Sequence, residues 1–153
     1  MIIRTSIDVA APPDVCFDLA RDMNAHTAST SSTKERLIEG PEGGMMELGD
    51  EVEFEAVHFG IRQRLRSKIV AYDRPHMFLD EMQKGAFARM SHKHEFQKTS
   101  KGTVMVDTLD FASPLGPLGA IADRLFLANY MRKFLISRNE ALKAMAERIA
   151  QQA

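Results

Sequence analysis

Glu51, Glu53 and Glu55 alternate with Val52, Phe54 and Ala56, and beyond Phe59-Gly60 a second run alternates Arg62, Arg64, Arg66 and Lys68 with Ile61, Gln63, Leu65 and Ile69. Alternation with period two is the pattern of a half-buried strand. A two-residue turn at 59–60 sets Glu55 opposite Arg64, Glu53 opposite Arg66 and Glu51 opposite Lys68. Each such pair stabilises an antiparallel ladder by roughly 0.2–1 kcal/mol. A slip of one residue would destroy all of them and turn every side chain over. This stretch is therefore a β-hairpin with its charged face in solvent and its apolar face inward.

The remaining chain fits around that hairpin. Residues 1–9 alternate, with Ile3, Thr5, Ile7 and Val9 on one face. Pro12-Pro13 suits a first helical turn, where a missing N–H costs nothing. Val15, Cys16, Leu19 and Ala20 then follow at helical spacing to about Asp22. A second short helix is expected over 23–27, a polar loop over 29–33 and a modest strand over 34–39. Three more strands are expected at 77–84, 88–98 and 103–112, and a long helix from about 118 to 151. In that helix Leu118, Ile121, Ala122 and Leu125 share one face, while Leu127, Met131, Phe134, Leu142, Met145 and Ile149 share a nearly opposite one. Either the helix breaks near 126, or its first turns contact something other than the sheet. The expected class is α+β: a curved antiparallel sheet of about seven strands wrapped on a long C-terminal helix, with two short helices after the first strand. Such a sheet needs its open face covered, and one long helix can do it.

Register brings four polar residues together. Met90, His92, His94 and Phe96 share a face of one strand, and their apolar neighbours turn that face inward. A loop at 99–102 sets His94 beside Asp107 and Phe96 beside Met105. A three-residue turn on the other side sets His92 beside Asp80 and Phe78 beside His94, whereas a two-residue turn there would flip the preceding strand and expose Asp80. The expectation is Asp80, His92, His94 and Asp107 on an otherwise apolar concave wall. Three roles are open to such a group. It can be a buried network that holds the register, or a polar floor that orients an apolar ligand. It can also be a reactive site, in which a His beside an Asp moves a proton near neutral pH. Under that last heading, His-x-His with a carboxylate could also hold Zn or non-haem iron, although no metal and no cofactor is the expectation.

Other chemistries find less support. The 153 residues suit one domain, 1–153, and the net charge of -1 gives no electrostatic reason to expect nucleic acid or an anionic membrane surface. No apolar run approaches the ~20 residues needed to span a bilayer. Cys16 is the one cysteine and falls on the apolar stripe of the first helix, so it reads as core. With no internal disulfide to form and no signal-peptide pattern at the start, a cytoplasmic location is the expectation. No phosphate-binding glycine loop is present, and His26, His58 and His76 have no partner that spacing identifies. The 10 methionines suit an adaptable interior or pocket, or simply a Met-tolerant core.

Several phrases resemble the START-related SRPBCC superfamily, the helix-grip fold of polyketide cyclase/dehydrase-like proteins. They are Ile7-Asp8-Val9-Ala10-Ala11-Pro12-Pro13-Asp14-Val15-Cys16-Phe17-Asp18-Leu19, Leu48-Gly49-Asp50, and Ile69-Val70-Ala71-Tyr72-Asp73-Arg74-Pro75-His76-Met77-Phe78. Phe78-Leu79-Asp80-Glu81-Met82, His92-Lys93-His94-Glu95-Phe96, Asp107 and Pro114-Leu115-Gly116-Pro117-Leu118-Gly119 resemble a bacterial subgroup described as ligand-binding or cell-division-inhibitor-associated. The resemblance covers nearly the whole chain. It departs at Asn24-Ala25-His26-Thr27-Ala28, where many relatives carry Trp, which implies an aromatic pocket wall that is missing or replaced by Met.

The resulting expectation is a binding protein for a small hydrophobic or amphipathic molecule held between sheet and C-terminal helix. Its apolar lining would come from Phe54, Leu65, Phe78, Met82, Met90, Phe96, Met105, Phe111, Met131 and Phe134. The polar contact would come from Asp80, His92, His94 and Asp107. A cyclase or dehydratase with His92 or His94 as general base is the enzymatic alternative, and catalysis is the less favoured of the two. An interaction module acting through the helix face at 118–125 is the third reading. A homodimer is compatible with all of them.

Overall fold

The computed structural model describes residues 1–153, apart from the side chains of residues 122–124. Strand β1 (Ile2–Val9) leads into α1 (Pro13–Ala20) and α2 (Met23–Ser29), and a short 3-10 turn (Ser31–Thr33) precedes β2 (Arg36–Glu39). Five long strands follow: β3 (Glu51–His58), β4 (Ile61–Asp73), β5 (Met77–Lys84), β6 (Arg89–Thr99) and β7 (Gly102–Ala112). Helix α3 (Gly116–Ala122) passes through a π turn (Asp123–Leu127) into α4 (Ala128–Gln152). The seven strands form one antiparallel sheet in the order β1-β7-β6-β5-β4-β3-β2.

The β3–β4 hairpin has the register its charges require: Glu55 faces Arg64, Glu53 faces Arg66 and Glu51 faces Lys68. Phe59 and Gly60 both have positive φ, 54° and 73°, as a two-residue turn that follows the strand twist demands. Side-chain pairing is more diagonal than the register alone suggests. Arg66 lies 3.3 Å from Glu51 and 3.0 Å from Glu39, nearer than the 3.9 Å to Glu53 opposite it. Glu55 is less open than a solvent-face residue should be, because the guanidiniums of Arg36, Arg62 and Arg64 cover it. At the β6–β7 turn Gly102 has φ +142°, and a Cβ there would meet the Val9 carbonyl oxygen at 2.2 Å, so β1 can close on this turn only over a glycine.

The C-terminal helix breaks where its apolar stripe changes sides. Leu118, Ile121 and Leu125, before and in the π turn, are exposed; Ala122, expected on the same face, lies outside the described side chains. In α4 the buried stripe is Leu135, Arg138, Asn139, Leu142 and Ala146. Ile149, expected on the inner face, is 44% exposed. The stripe follows i, i+3 and i+4 spacing through two polar residues that the apolar pattern passes over.

Two apolar clusters hold helices to sheet. In one, the Phe17 ring meets Tyr72, Phe78 and Phe96 edge-on, each at 5.3 Å, and Met105 and Leu142 complete the layer. Cys16 is buried there, and burial raises its thiol pKa, so it is packing rather than nucleophile. In the other, Ile3, Leu109, Phe111 and Leu135 pack with Phe87, Met90 and Met131. Between sheet and α4, with members of both clusters in its wall, is a cavity of about 320 Å³.

Candidate functional site

The inner face of β6 carries the polar centre. Across the ladders His92 is opposite Asp80 on β5, and His94 is opposite Asp107 on β7. The side chains bond along the diagonals instead. His92 Nε2 donates to Asp107 Oδ1 at 2.7 Å, and His94 Nε2 donates to Asp80 Oδ2 at 2.8 Å. His94 Nδ1 also lies 3.1 Å from Asp107 Oδ1. The two imidazoles are 3.8 Å apart, and His94 stacks on Phe78 at 4.2 Å. Helix α4 closes the group from above: Asn139 Nδ2 donates to Asp107 Oδ2 at 2.6 Å, and Arg138 Nη1 donates to Asn139 Oδ1 at 3.0 Å and lies 3.6 Å from Asp107.

Charge is divided unequally over these groups. Burial disfavours the carboxylate of Asp107, but hydrogen bonds from His92 and His94 outweigh it and hold the carboxyl well below its ordinary range. Burial and the His94 hydrogen bond act in the same opposed way on Asp80, and the net direction is again downward. Burial also works against the His94 imidazolium, yet hydrogen bonds to Asp107 and Asp80 carry its pKa upward. His92 goes down, through burial first and the neighbouring positive ring second. The centre is thus two carboxylates, one imidazolium and the Arg138 guanidinium around a neutral His92. Formal charge balances, which is what a buried ionic group needs.

Two atoms of this centre are left for something else. Arg138 Nε is buried and has no hydrogen-bond partner among the described residues. His92 Nδ1 takes no protein partner among them either, and both residues line the cavity. A neutral imidazole that donates through Nε2 presents Nδ1 as an acceptor. Asp80, His92 and His94 also offer ligand atoms within 4.8 Å of one another, the spacing of a metal site. Both nitrogens of His94 and the Nε2 of His92 are already turned to carboxylates, so a cation would have to displace protons that now neutralise Asp80 and Asp107.

Of the residues expected to line a pocket, Phe54, Leu65, Phe78, Asp80, Met90, His92, His94, Met131 and Phe134 do line the cavity. Five do not. Phe96, Met105 and Asp107 lie behind it, sealed by Leu142 and Asn139 where α4 packs directly on the sheet. Phe111 is fully buried against Phe87, ring to ring at 5.5 Å. Met82 turns toward Gly85 in the β5–β6 loop and stays out of the wall. These corrections share one cause: alternation tells which face of a strand is inner, but not where a helix touches that face and where it stands off.

Residues that spacing did not single out form the cavity's other end. His26 Nε2 bonds Glu35 Oε1 at 3.0 Å, and the His26 ring stacks on Phe54 at 4.4 Å. Helix α2 thus supplies the His26 imidazole and the Met23 side chain to the wall. His58 Nδ1 and the Tyr130 hydroxyl share a hydrogen bond, and Phe59 packs on Tyr130 at 4.5 Å. His26, Glu35, His58 and Tyr130 all border the cavity. Their contacts join α2, the residue just before β2, β3 and α4, parts of the chain that no local pattern brings together. The His76 ring lies 3.5 Å from Asp73, and both side chains are exposed.

Comparison with known proteins agrees with this fold. The family described as polyketide cyclase / dehydrase and lipid transport matches residues 2–147. No curated protein matches by sequence. Among solved structures, a Thermus thermophilus protein is 18% identical with a TM-score of 0.76, covering 94% of this chain and 95% of that one. The Zhui aromatase/cyclase of a Streptomyces species is 18% identical, TM-score 0.77, with 97% and 94% covered. A major latex-like protein of Panax ginseng is 15% identical, TM-score 0.71, with 95% and 97% covered. At these identities the likeness is one of fold. Nothing among them singles out the cell-division-inhibitor-associated subgroup.

Proposed function

The chain belongs to the polyketide cyclase/dehydrase and lipid transport family, and from that premise we propose that it binds and carries a small hydrophobic or amphipathic molecule between sheet and α4. One observation carries the reading: a mainly apolar cavity of about 320 Å³ with convergent polar groups at its floor. Apolar walls supply most of the affinity, and a few placed polar atoms supply orientation. Arg138 Nε–H would donate to an oxygen of the ligand, and His92 Nδ1 would accept from it or from a water beside it. Because the floor is formally balanced, an uncharged acceptor such as a carbonyl fits it better than a carboxylate, which would leave net charge buried. The test is titration with the apolar fluorophore N-phenyl-1-naphthylamine. The wild type should bind it saturably, and Ala56→Phe, which fills the cavity from β3, should abolish binding while the protein stays folded.

A second reading rests on His92. An imidazole whose Nε2 is tied to a carboxylate and whose Nδ1 is free is placed to take a proton, with Asp107 stabilising the imidazolium that forms. His94 is unsuited to that task, since both of its nitrogens already face carboxylates. A cyclising or dehydrating enzyme would therefore use His92. His92→Gln separates the readings, because an enzyme would keep its ligand and lose turnover.

A further inference from the structure

The polar groups at the far end of the cavity carry no part of the floor's charge balance. Glu35 has a side chain only 8% exposed. Its Oε1 takes the His26 hydrogen bond, but its Oε2 is buried without any hydrogen-bond partner. The Thr30 hydroxyl, whose nearness helps to lower the Glu35 pKa, gives its proton to the His26 carbonyl at 2.8 Å. Burial opposes ionisation of Glu35, yet the hydrogen bond and charge of His26 keep its pKa below the ordinary value, so the lone oxygen is anionic. An unpaired buried acceptor costs about 1–3 kcal/mol, and more when charged. Such an atom in the wall of a cavity is a place for a donor.

We infer that Glu35, with His58 and Tyr130 beside it, is a second polar subsite that recognises a hydroxyl group at the far end of the ligand. The inference rests on the binding reading above and narrows its ligand class. A hydroxyl donates to Glu35 Oε2 and keeps lone pairs for a donor from the His58–Tyr130 pair. His58 is held neutral by burial, and burial also keeps the Tyr130 phenol protonated, so this pair offers donors without adding charge. Helix α4 measures the spacing of the two subsites. Tyr130 and Arg138 lie two turns apart on one face, roughly 12 Å along the axis at 1.5 Å per residue. Between them the helix presents Met131, Phe134 and Leu135 to the cavity. The ligand is thus a rigid, elongated apolar skeleton with a carbonyl-type acceptor at one end and a hydroxyl at the other.

Estrone serves as the probe, since its ketone and phenol lie at opposite ends of such a skeleton, and its 3-methyl ether removes only the donor. Calorimetric titration of the wild type should show estrone binding at least about tenfold tighter than the ether, as a hydrogen bond to a charged acceptor implies. In Glu35→Gln the preference should fall below about threefold, with affinity for the ether kept. Tyr130→Phe, which leaves the ring stack with Phe59 in place, should weaken estrone more than the ether and serves if Glu35→Gln does not fold. Equal binding of both steroids to the wild type overturns the subsite. So does failure of both to bind while N-phenyl-1-naphthylamine binds, and in that case the binding reading stands. Loss of the fluorophore as well would instead remove the binding reading itself.

Discussion

His92 hydrogen-bonds to Asp107 at 2.7 Å, although the ladder sets His94, not His92, opposite that aspartate. The two histidines exchange partners along the diagonals of three adjacent strands. That crossing gives one ring two carboxylates and the other ring one, and it makes chemically different residues of a His-x-His pair.

The difference is visible in titration. By NMR, His94 should titrate above the ordinary value of about 6.5 and His92 below it. The stability consequences have opposite signs. His94 contributes stability that is full below its unfolded pKa and is lost as pH rises through its raised folded value. His92, with a lowered folded value, contributes stability present above the unfolded pKa and lost as pH falls through the folded one. Asp80 and Asp107 likewise stabilise above about 3.9 and lose that contribution as pH falls through their lowered values. Urea midpoints against pH read the sum. A reversed order of the two histidines would contradict the assignment.

Asp107 holds the centre together. Asp107→Asn leaves the His94 imidazolium and the Arg138 guanidinium with Asp80 as their one remaining counter-charge in the centre and should cost about 3–5 kcal/mol in urea denaturation at neutral pH. A loss below about 1 kcal/mol would mean that the group is wetter and looser than its geometry.

The hairpin face is a different case. Glu53→Arg alone should lower the melting temperature slightly, and adding Arg66→Glu should recover much of it. Recovery is incomplete, because Arg66 also pairs with Glu39 and Glu51. A collapse of stability on the single reversal would place that face in the core.

Much of the fold was legible because period-two patterns are unforgiving. The charged hairpin, the β6–β7 pairing and the β5–β6 pairing all followed from matching faces across turns. The His/Asp group followed from the same arithmetic, since all four side chains hang from paired strands. The crossed hydrogen bonds were not legible, because register fixes Cα neighbours and leaves side chains to choose diagonals. Arg138 and Asn139 were hidden in the same way: a polar pair inside an apolar helical stripe reads as its edge. Glu35 was hidden further still, since its surroundings come from elements distant in sequence.

Proton transfer and orientation separate at His92. In His92→Gln, ligand affinity should change by only about 1 kcal/mol, one neutral hydrogen bond replacing another. Any turnover should fall roughly 10²–10⁴-fold, the usual contribution of a general base. The same change at His94 should act on stability instead, as that ring bridges two carboxylates. Turnover lost only in His94→Gln would contradict the roles assigned here.

Wall residues report on binding unequally. Phe78 is 3% exposed and packs on Phe17 and His94, so Phe78→Ala should cost about 3–5 kcal/mol of stability and confound any binding assay. Met131 is half-buried at the cavity wall. Met131→Ala should weaken N-phenyl-1-naphthylamine binding with a much smaller loss of stability. An unchanged fluorophore affinity would move the binding site away from α4.

Native mass spectrometry of protein purified without organic solvent tests the central claim most directly. The wild type should carry the extra mass of a small organic molecule, released on denaturation, and Ala56→Phe should fly at its bare chain mass. A wild type that is bare, and that also fails to take up N-phenyl-1-naphthylamine, would contradict the claim that this cavity is a ligand site.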